Sequence, residues 1–280
     1  MTLNSVLADE DALIRERLAT GLDLPSIEPV SRKTFPVMEM FGPTIQGEGA
    51  MAGSISHFIR LGGCSYRCSW CDSMHAVEPA RIKAGASYLT AYGIVDKIKG
   101  LAWAPWVTIS GGDPCIWDLG ELVSLLHMAG YKVAIETQGT LFRPWLTEID
   151  LVTVSPKPPS SGMSNKTNLA VLSKYVEMLG VTDERFAPKL VFKIPVADVV
   201  DLQFALKIFQ GIPRGYNVPK YLSIITSPHV PGVQTENAEI LAVLEDYRRI
   251  TALLLKQHTK MDIRILPQLH VLLFGNKLGV

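Results

Sequence analysis

The chain lacks charge of either sign in excess. Lys and Arg number 27, as do Asp and Glu, so the formal charge is zero. A protein whose main task is to grip a nucleic-acid backbone needs a basic surplus, and this one has none. No apolar run reaches the length of a membrane span. The first residues, M-T-L-N-S-V-L-A-D-E-D, lack the basic-then-apolar order of a signal peptide. Repeats and low-complexity runs are missing too. The expectation is a soluble cytoplasmic protein that binds neither nucleic acid nor membrane. Cysteine is scarce, four in 280 residues, which argues against a disulfide scaffold. Nearly half of the residues are apolar, enough to bury a sizeable core in one large domain or at most two.

Three of the few cysteines share one loop. Phe58 to Ser73 reads F-I-R-L-G-G-C-S-Y-R-C-S-W-C-D-S, with Cys64, Cys68 and Cys71 spaced C-x3-C-x2-C. A short apolar run leads in, and Gly62 and Gly63 let the backbone turn tightly. The spacing lets three thiolates converge on one metal centre. A 4Fe–4S cluster ordinarily takes four cysteines, so three leave one iron open. Structural zinc is the rival reading, with His75 completing a Cys3His set, and plain packing is a third. Cys115, the fourth cysteine, lies far along the chain and is expected to be a free structural thiol.

Residues 1–34 form an N-terminal extension, in which Asp11 to Leu22 has the pattern of a short amphipathic helix before Pro25, Pro29 and Pro36. It is expected either to pack on the rest or to be a disordered tail. The core, 35–280, alternates strand and helix patterns. Strands are expected at Pro36–Phe41, Ser56–Leu61, Trp106–Ser110, Tyr131–Thr137, Leu151–Ser155, Lys189–Pro195, Tyr221–Thr226 and Asp262–Leu266. Helices are expected at Thr90–Lys99, Asp118–Ala129, Asn168–Leu179, Asp198–Phe209 and Glu236–Gln257. Asp118, with Glu121 three on, suits an N-cap. Repeated β–α units imply a parallel sheet with helices outside, and fewer than eight units suggest an α/β incomplete TIM-type barrel. Ligands in such folds gather at the C-terminal ends of strands. Several motifs fall there: Gly111-Gly-Asp-Pro114, Glu136-Thr-Gln-Gly139, Ser155-Pro-Lys157 and Thr226-Ser-Pro228. Gly47-Glu-Gly49 resembles half a phosphate loop, but the Lys-Ser/Thr that such a loop needs is absent.

The cysteine spacing, joined to Phe41-Gly-Pro-Thr-Ile-Gln-Gly-Glu-Gly49 upstream and Cys68-Ser-Trp-Cys-Asp-Ser73 within, resembles the 7-carboxy-7-deazaguanine synthases. These are radical S-adenosylmethionine (SAM) enzymes of queuosine and deazapurine biosynthesis. The resemblance runs from about Met38 onward and implies a lyase. It would convert 6-carboxy-5,6,7,8-tetrahydropterin to 7-carboxy-7-deazaguanine with loss of ammonia. The implied cofactors are a 4Fe–4S cluster on Cys64, Cys68 and Cys71, SAM, and Mg²⁺. Ser73 stands where the family has a threonine on the magnesium. SAM contacts are implied for Trp70, Asp72, Gly112, Asp113, Glu136, Ser155, Lys157 and, less firmly, Ser227. Asp113 replaces the family's glutamate, shortened by a methylene. Substrate contacts are implied for Ile45, Gln46, Gly47, Glu48, Arg60, Ser110, His270 and the terminal Val280. Partners implied are the pterin, a flavodoxin-like electron donor and a second copy of the chain as a homodimer. Two alternatives stand beside this reading: a glycyl-radical activase, and a zinc-stabilised binding module with no catalysis.

Overall fold

The computed structural model describes residues 33–183, 185–225, 236–275 and 279. Thr34–Val280 forms one compact unit. Its frame is a nine-stranded sheet: β1 (Thr34–Ile45), β2 (Ile55–Leu61), β3 (Ser87–Thr90), β4 (Trp106–Gly111), β5 (Lys132–Thr137), β6 (Leu151–Val154), β7 (Leu190–Val196), β8 (Lys220–Ile224) and β9 (Arg264–Leu266). The spatial order is β3-β1-β2-β4-β5-β6-β7-β8-β9. From β2 through β9 neighbouring strands in that order run parallel, whereas β1 is antiparallel to both β2 and β3. The sheet is open, since β3 and β9 lie at its two ends. The expected incomplete barrel is therefore present, with one correction: its first strand runs against the rest.

Seven helices are described: α1 (Pro79–Gly85), α2 (Ala91–Lys99), α3 (Gly120–Met128), α4 (Leu169–Leu179), α5 (Val199–Gln210), α6 (Glu236–Lys256) and α7 (Leu269–Phe274). Several begin on side chains that satisfy free N–H groups. Thr90 accepts from Gly93 N, Asn168 from Ala170 N and Val171 N, and Asp198 from Val200 N and Asp201 N.

The period of two in the strands sorts the residues into two layers. Outward faces carry Ile59 and Leu61, Val107 and Ile109, Val133 and Ile135, Val152 and Val154, Phe192 and Ile194. All are buried among the helices, with Ile94, Ile98, Leu122, Leu126, Tyr175, Leu202 and Phe209. The inward face differs along its length. Ala134, Leu151, Val191 and Tyr221 join Met51 in a small apolar plug near the strand starts. One or two pleats further on stand Glu136, Thr153, Ser155, Lys193 and Ser223. The barrel is thus dry at one end and polar at the carboxyl ends of its strands.

Four local expectations need amendment. Strand β1 continues past Phe41 to Ile45, with a register irregularity between Phe41 and Thr44 where Gly42-Pro43 sits. Strand β3 and helix α1 were not anticipated. Helix α3 starts at Gly120, with Leu119 rather than Asp118 at its cap. Leu119 is wholly buried, and this anchor sets the entry of the helix. The repeat of Ile240, Val243, Leu244, Tyr247 and Leu254 predicts one apolar face on α6; Val243 and Leu254 are buried, but Leu244 is 40% exposed. The expected helix at Asp11–Leu22 and the turn at Thr226-Ser-Pro228 lie outside the described residues. No described helix is long and apolar enough to cross a membrane.

Candidate active site

A cavity of about 470 Å³ opens at the polar end of the sheet. From the first hairpin, Ile45, Gln46, Gly47, Glu48 and Arg60 line it, with Phe41 and Phe58. The two phenylalanines are register partners, their rings stacked 5.1 Å apart. The cysteine loop contributes Trp70, Cys71, Asp72 and Ser73. Strand ends add Ser110, Gly112, Glu136, Ser155 and Lys157, and α7 adds His270. Fifteen of the residues expected at the site thus line one cavity. Ser227 and Val280 lie outside the described residues.

Cys64 and Cys68 sit beside Cys71 in the same loop, and all three are free thiols. Burial raises the pKa of all three thiols; Cys71, with Asp72 adding to the effect, is pushed up to about 11. Tyr66 N donates to Cys64 Sγ at 3.3 Å. Among the described residues, no three His, Cys, Asp or Glu side chains close around a single point as a mononuclear metal requires. His75, the fourth ligand of the zinc reading, faces Glu39 Oε2 at 3.5 Å instead. Three free thiols in one loop are the donor set of a cluster in which each thiolate takes its own iron.

Asp113 does not line the cavity. It is wholly buried beneath it. Its Oδ1 accepts from Thr137 Oγ1 at 2.6 Å and from Cys115 N at 3.3 Å, and its Oδ2 from Thr140 Oγ1 at 3.4 Å. Burial raises its pKa against those bonds. Gly112 above it is required by space: a Cβ there would stand 2.1 Å from Gly63 O. The glycine pair therefore lets this turn cross the start of the cysteine loop, where Asp113 N donates to Gly63 O at 2.7 Å. Cys115 points into the core, its Sγ 3.6 Å from Tyr175 Oη, and burial pushes its thiol up to about 12. It is the structural thiol the sequence suggested.

Lys193 went unnoticed in the sequence, although a lone lysine inside the run Leu190-Val-Phe-Lys-Ile-Pro-Val196 is a signal. Its ammonium donates to Glu48 Oε2 and to both oxygens of Glu136, at 3.2 and 3.1 Å. Gln46 Nε2 donates to Glu136 Oε1 at 2.9 Å, and Gln268 Nε2 to Glu48 Oε1 at 2.6 Å. Burial alone would raise the Glu48 carboxyl, but Lys193 and His270 outweigh it and hold it at about 2. The same two carboxylates raise Lys193 against its own burial. Gln268 was likewise missed, although its neighbour His270 was singled out. On the opposite wall, Arg60 Nε donates to Glu39 Oε2 at 2.5 Å and Nη1 to Ser73 Oγ at 2.8 Å, while Ser73 Oγ donates to Asp72 Oδ1 at 2.9 Å.

The site thus joins an open α/β barrel to a loop of three cysteines beside a polar cavity. No family model matches the chain. It is 38% identical to the 7-carboxy-7-deazaguanine synthase of Bacillus subtilis, over 89% of this chain and 99% of the relative. It is 36% identical to the synthase of that name from Bacillus cereus, over 88% and 98%. A crystal structure of QueE from Escherichia coli shares the fold, with a TM-score of 0.56 and 23% identity, over 84% of this chain and 94% of the other. The chain belongs to the 7-carboxy-7-deazaguanine synthase family.

Proposed function

We propose that the protein is a 7-carboxy-7-deazaguanine synthase, a lyase acting on 6-carboxy-5,6,7,8-tetrahydropterin with loss of ammonia. The observation that carries this reading is the meeting of two walls in one cavity. One bears the cysteine loop, and the other bears Glu48, Glu136 and Lys193. Neither the activase nor the zinc module is supported by the relatives.

Cys64, Cys68 and Cys71 would hold the 4Fe–4S cluster. When bound, its open iron supplies the site at which SAM is chelated and reductively split. The chain's own residues do the rest. Trp70, Asp72, Gly112, Glu136, Ser155 and Lys157 all line the cavity and are assigned to SAM by resemblance. Asp113 supports that surface from below by holding Thr137 and Thr140. Ser227 keeps its assignment by resemblance.

Glu48 presents an ionised carboxylate, the acceptor that a 2-amino-4-oxopyrimidine edge needs for its N–H groups. Ile45, Gln46 and Gly47 offer main-chain and amide groups beside it. Arg60 is a guanidinium fork suited to the substrate carboxylate. Ser110 is assigned to the substrate by resemblance, and His270 and Val280 to the closing side. Ser73 offers a hard oxygen for a Mg²⁺ held mostly by water and substrate. A flavodoxin-like donor, a homodimer and a cytoplasmic setting complete the proposal. Residues 1–34 are read as an extension without a catalytic part, and 35–280 as the catalytic domain.

The test is anaerobic. Reconstituted protein is incubated with the carboxypterin, SAM, a reductant and Mg²⁺, and the deazaguanine product is sought by mass. Active cluster without product sinks the assignment. Cys68→Ala is the control, and it should abolish cleavage of SAM.

A further inference from the structure

Between Cys68 and Cys71 stand Ser69 and Trp70, and both reach out of their loop to a single residue. Ser69 Oγ donates to Ser160 O at 2.8 Å, and Trp70 Nε1 donates to Ser160 Oγ at 3.0 Å. Ser69 N adds a bond to Ser161 O at 3.1 Å. Ser160 passes the connection on. Its N–H donates to Asp201 Oδ1 at 2.9 Å and its Oγ to Asp201 Oδ2 at 2.6 Å. Asp201 is wholly buried in the first turn of α5 and also accepts from Ala197 N at 3.0 Å. Pro158 and Pro159 stiffen the backbone just before Ser160.

A buried carboxylate is costly unless its oxygens are satisfied. If Asp201 served α5 alone, it would be redundant, because Asp198 already accepts from Val200 N and Asp201 N. Two of its three bonds leave the helix for Ser160 instead.

We propose that Asp201, acting through Ser160, is a positioning residue that fixes the Ser69-Trp70 turn and so sets the placement of Cys68 and Cys71 for iron. The inference rests on the cluster reading above. Outer partners of metal ligands matter because a ligand a fraction of an ångström astray binds weakly.

Asp201→Asn keeps the shape but turns an amide NH₂ toward groups that are themselves donors. Ser160→Ala removes the hydroxyl that joins Trp70 to Asp201 and leaves the backbone bonds. Thr90→Ala is the comparison. It deletes the cap of α2, costs about 1 kcal/mol of stability, and has no bond to the cysteine loop.

Two quantities are measured beside the melting temperature. One is the rate at which anaerobically loaded protein gives up iron to a chelator. The other is the rate at which Cys68 and Cys71 of metal-free protein react with a thiol reagent, read by peptide mass. Asp201→Asn and Ser160→Ala should speed both by about 10- to 100-fold, while Thr90→Ala matches the wild type in both despite its lower melting point. Wild-type rates in a folded Asp201→Asn overturn the proposal. If Asp201→Asn does not fold, Ser160→Ala decides in its place. If wild-type protein takes up no iron and sulfide, the cluster reading falls, and the thiol rates alone decide whether the turn is held.

Discussion

Lys193 is the residue on which the substrate end of the cavity turns. Two carboxylates, Glu48 and Glu136, share this one buried cation. Lys193→Met would leave two like charges facing each other without a counter-ion. Removing one partner of a buried pair costs about 3–5 kcal/mol, so denaturant unfolding should show a loss of that size. Because two close carboxylates cannot both ionise freely, one should titrate upward. KM for the pterin should then depend on pH near neutrality, where the wild-type KM does not, and Lys193→Arg should restore part of the flat profile. Unchanged KM in Lys193→Met would show that the cation does not prepare the substrate end. Cysteines give a second contrast. Cys115→Ala should keep full iron and sulfide after reconstitution, because its side chain faces Tyr175 in the core. Cys64→Ala, Cys68→Ala and Cys71→Ala should each lose the cluster.

At the scale of elements, the turn after β1 packs tightly against the start of α7. Leu269 N donates to Gly47 O at 3.0 Å. A Cβ on Gly47 would stand 2.2 Å from His270 Nδ1 and 2.7 Å from His270 N. Gly47→Ala must therefore push α7 outward and break the bond from Gln268 to Glu48. Raised KM with unimpaired cleavage of SAM is the expected split, measured by product and 5′-deoxyadenosine in parallel. The inner strands were legible because their outward residues alternate strictly with inward ones, as in Val133, Ile135 and Thr137 against Ala134 and Glu136. Strand β1 was cut short because Gly42-Pro43 reads as a stop, while the structure absorbs it as an irregularity. Strand β3 is four residues that pair, among the described residues, with β1 alone, too short for a period to show. Of the site, the motifs at strand ends were readable from their sequence neighbours. Lys193, Gln268, Ser160 and Asp201 were not, since each acts through a partner 41 to 220 residues away.

For the whole molecule, the Glu48 carboxyl lies below its ordinary 4.5, at about 2. A depressed carboxyl stabilises the fold above the unfolded value and loses that contribution as pH falls through the folded one. Equilibrium unfolding followed from pH 6 downward should show stability declining below about pH 4.5, and Glu48→Gln should flatten that decline. SAM should protect the loaded protein by mass action. At a hundredfold excess over Kd the gain is about 2.7 kcal/mol, and each kcal/mol moves Tm by about 2–4 °C in a domain of this size. A cluster-loaded protein whose melting point ignores SAM would contradict the assigned cavity.

The bond from Gln268 to Glu48 ties together positions 220 residues apart. During synthesis on the ribosome the thiol loop emerges early, when only the first few strands exist to shelter it. The Glu48 side of the cavity cannot be finished until residue 268 has cleared the exit tunnel. A nascent chain therefore passes through a stage in which the thiol loop and its Asp201 support exist while the far side of the cavity is still unmade.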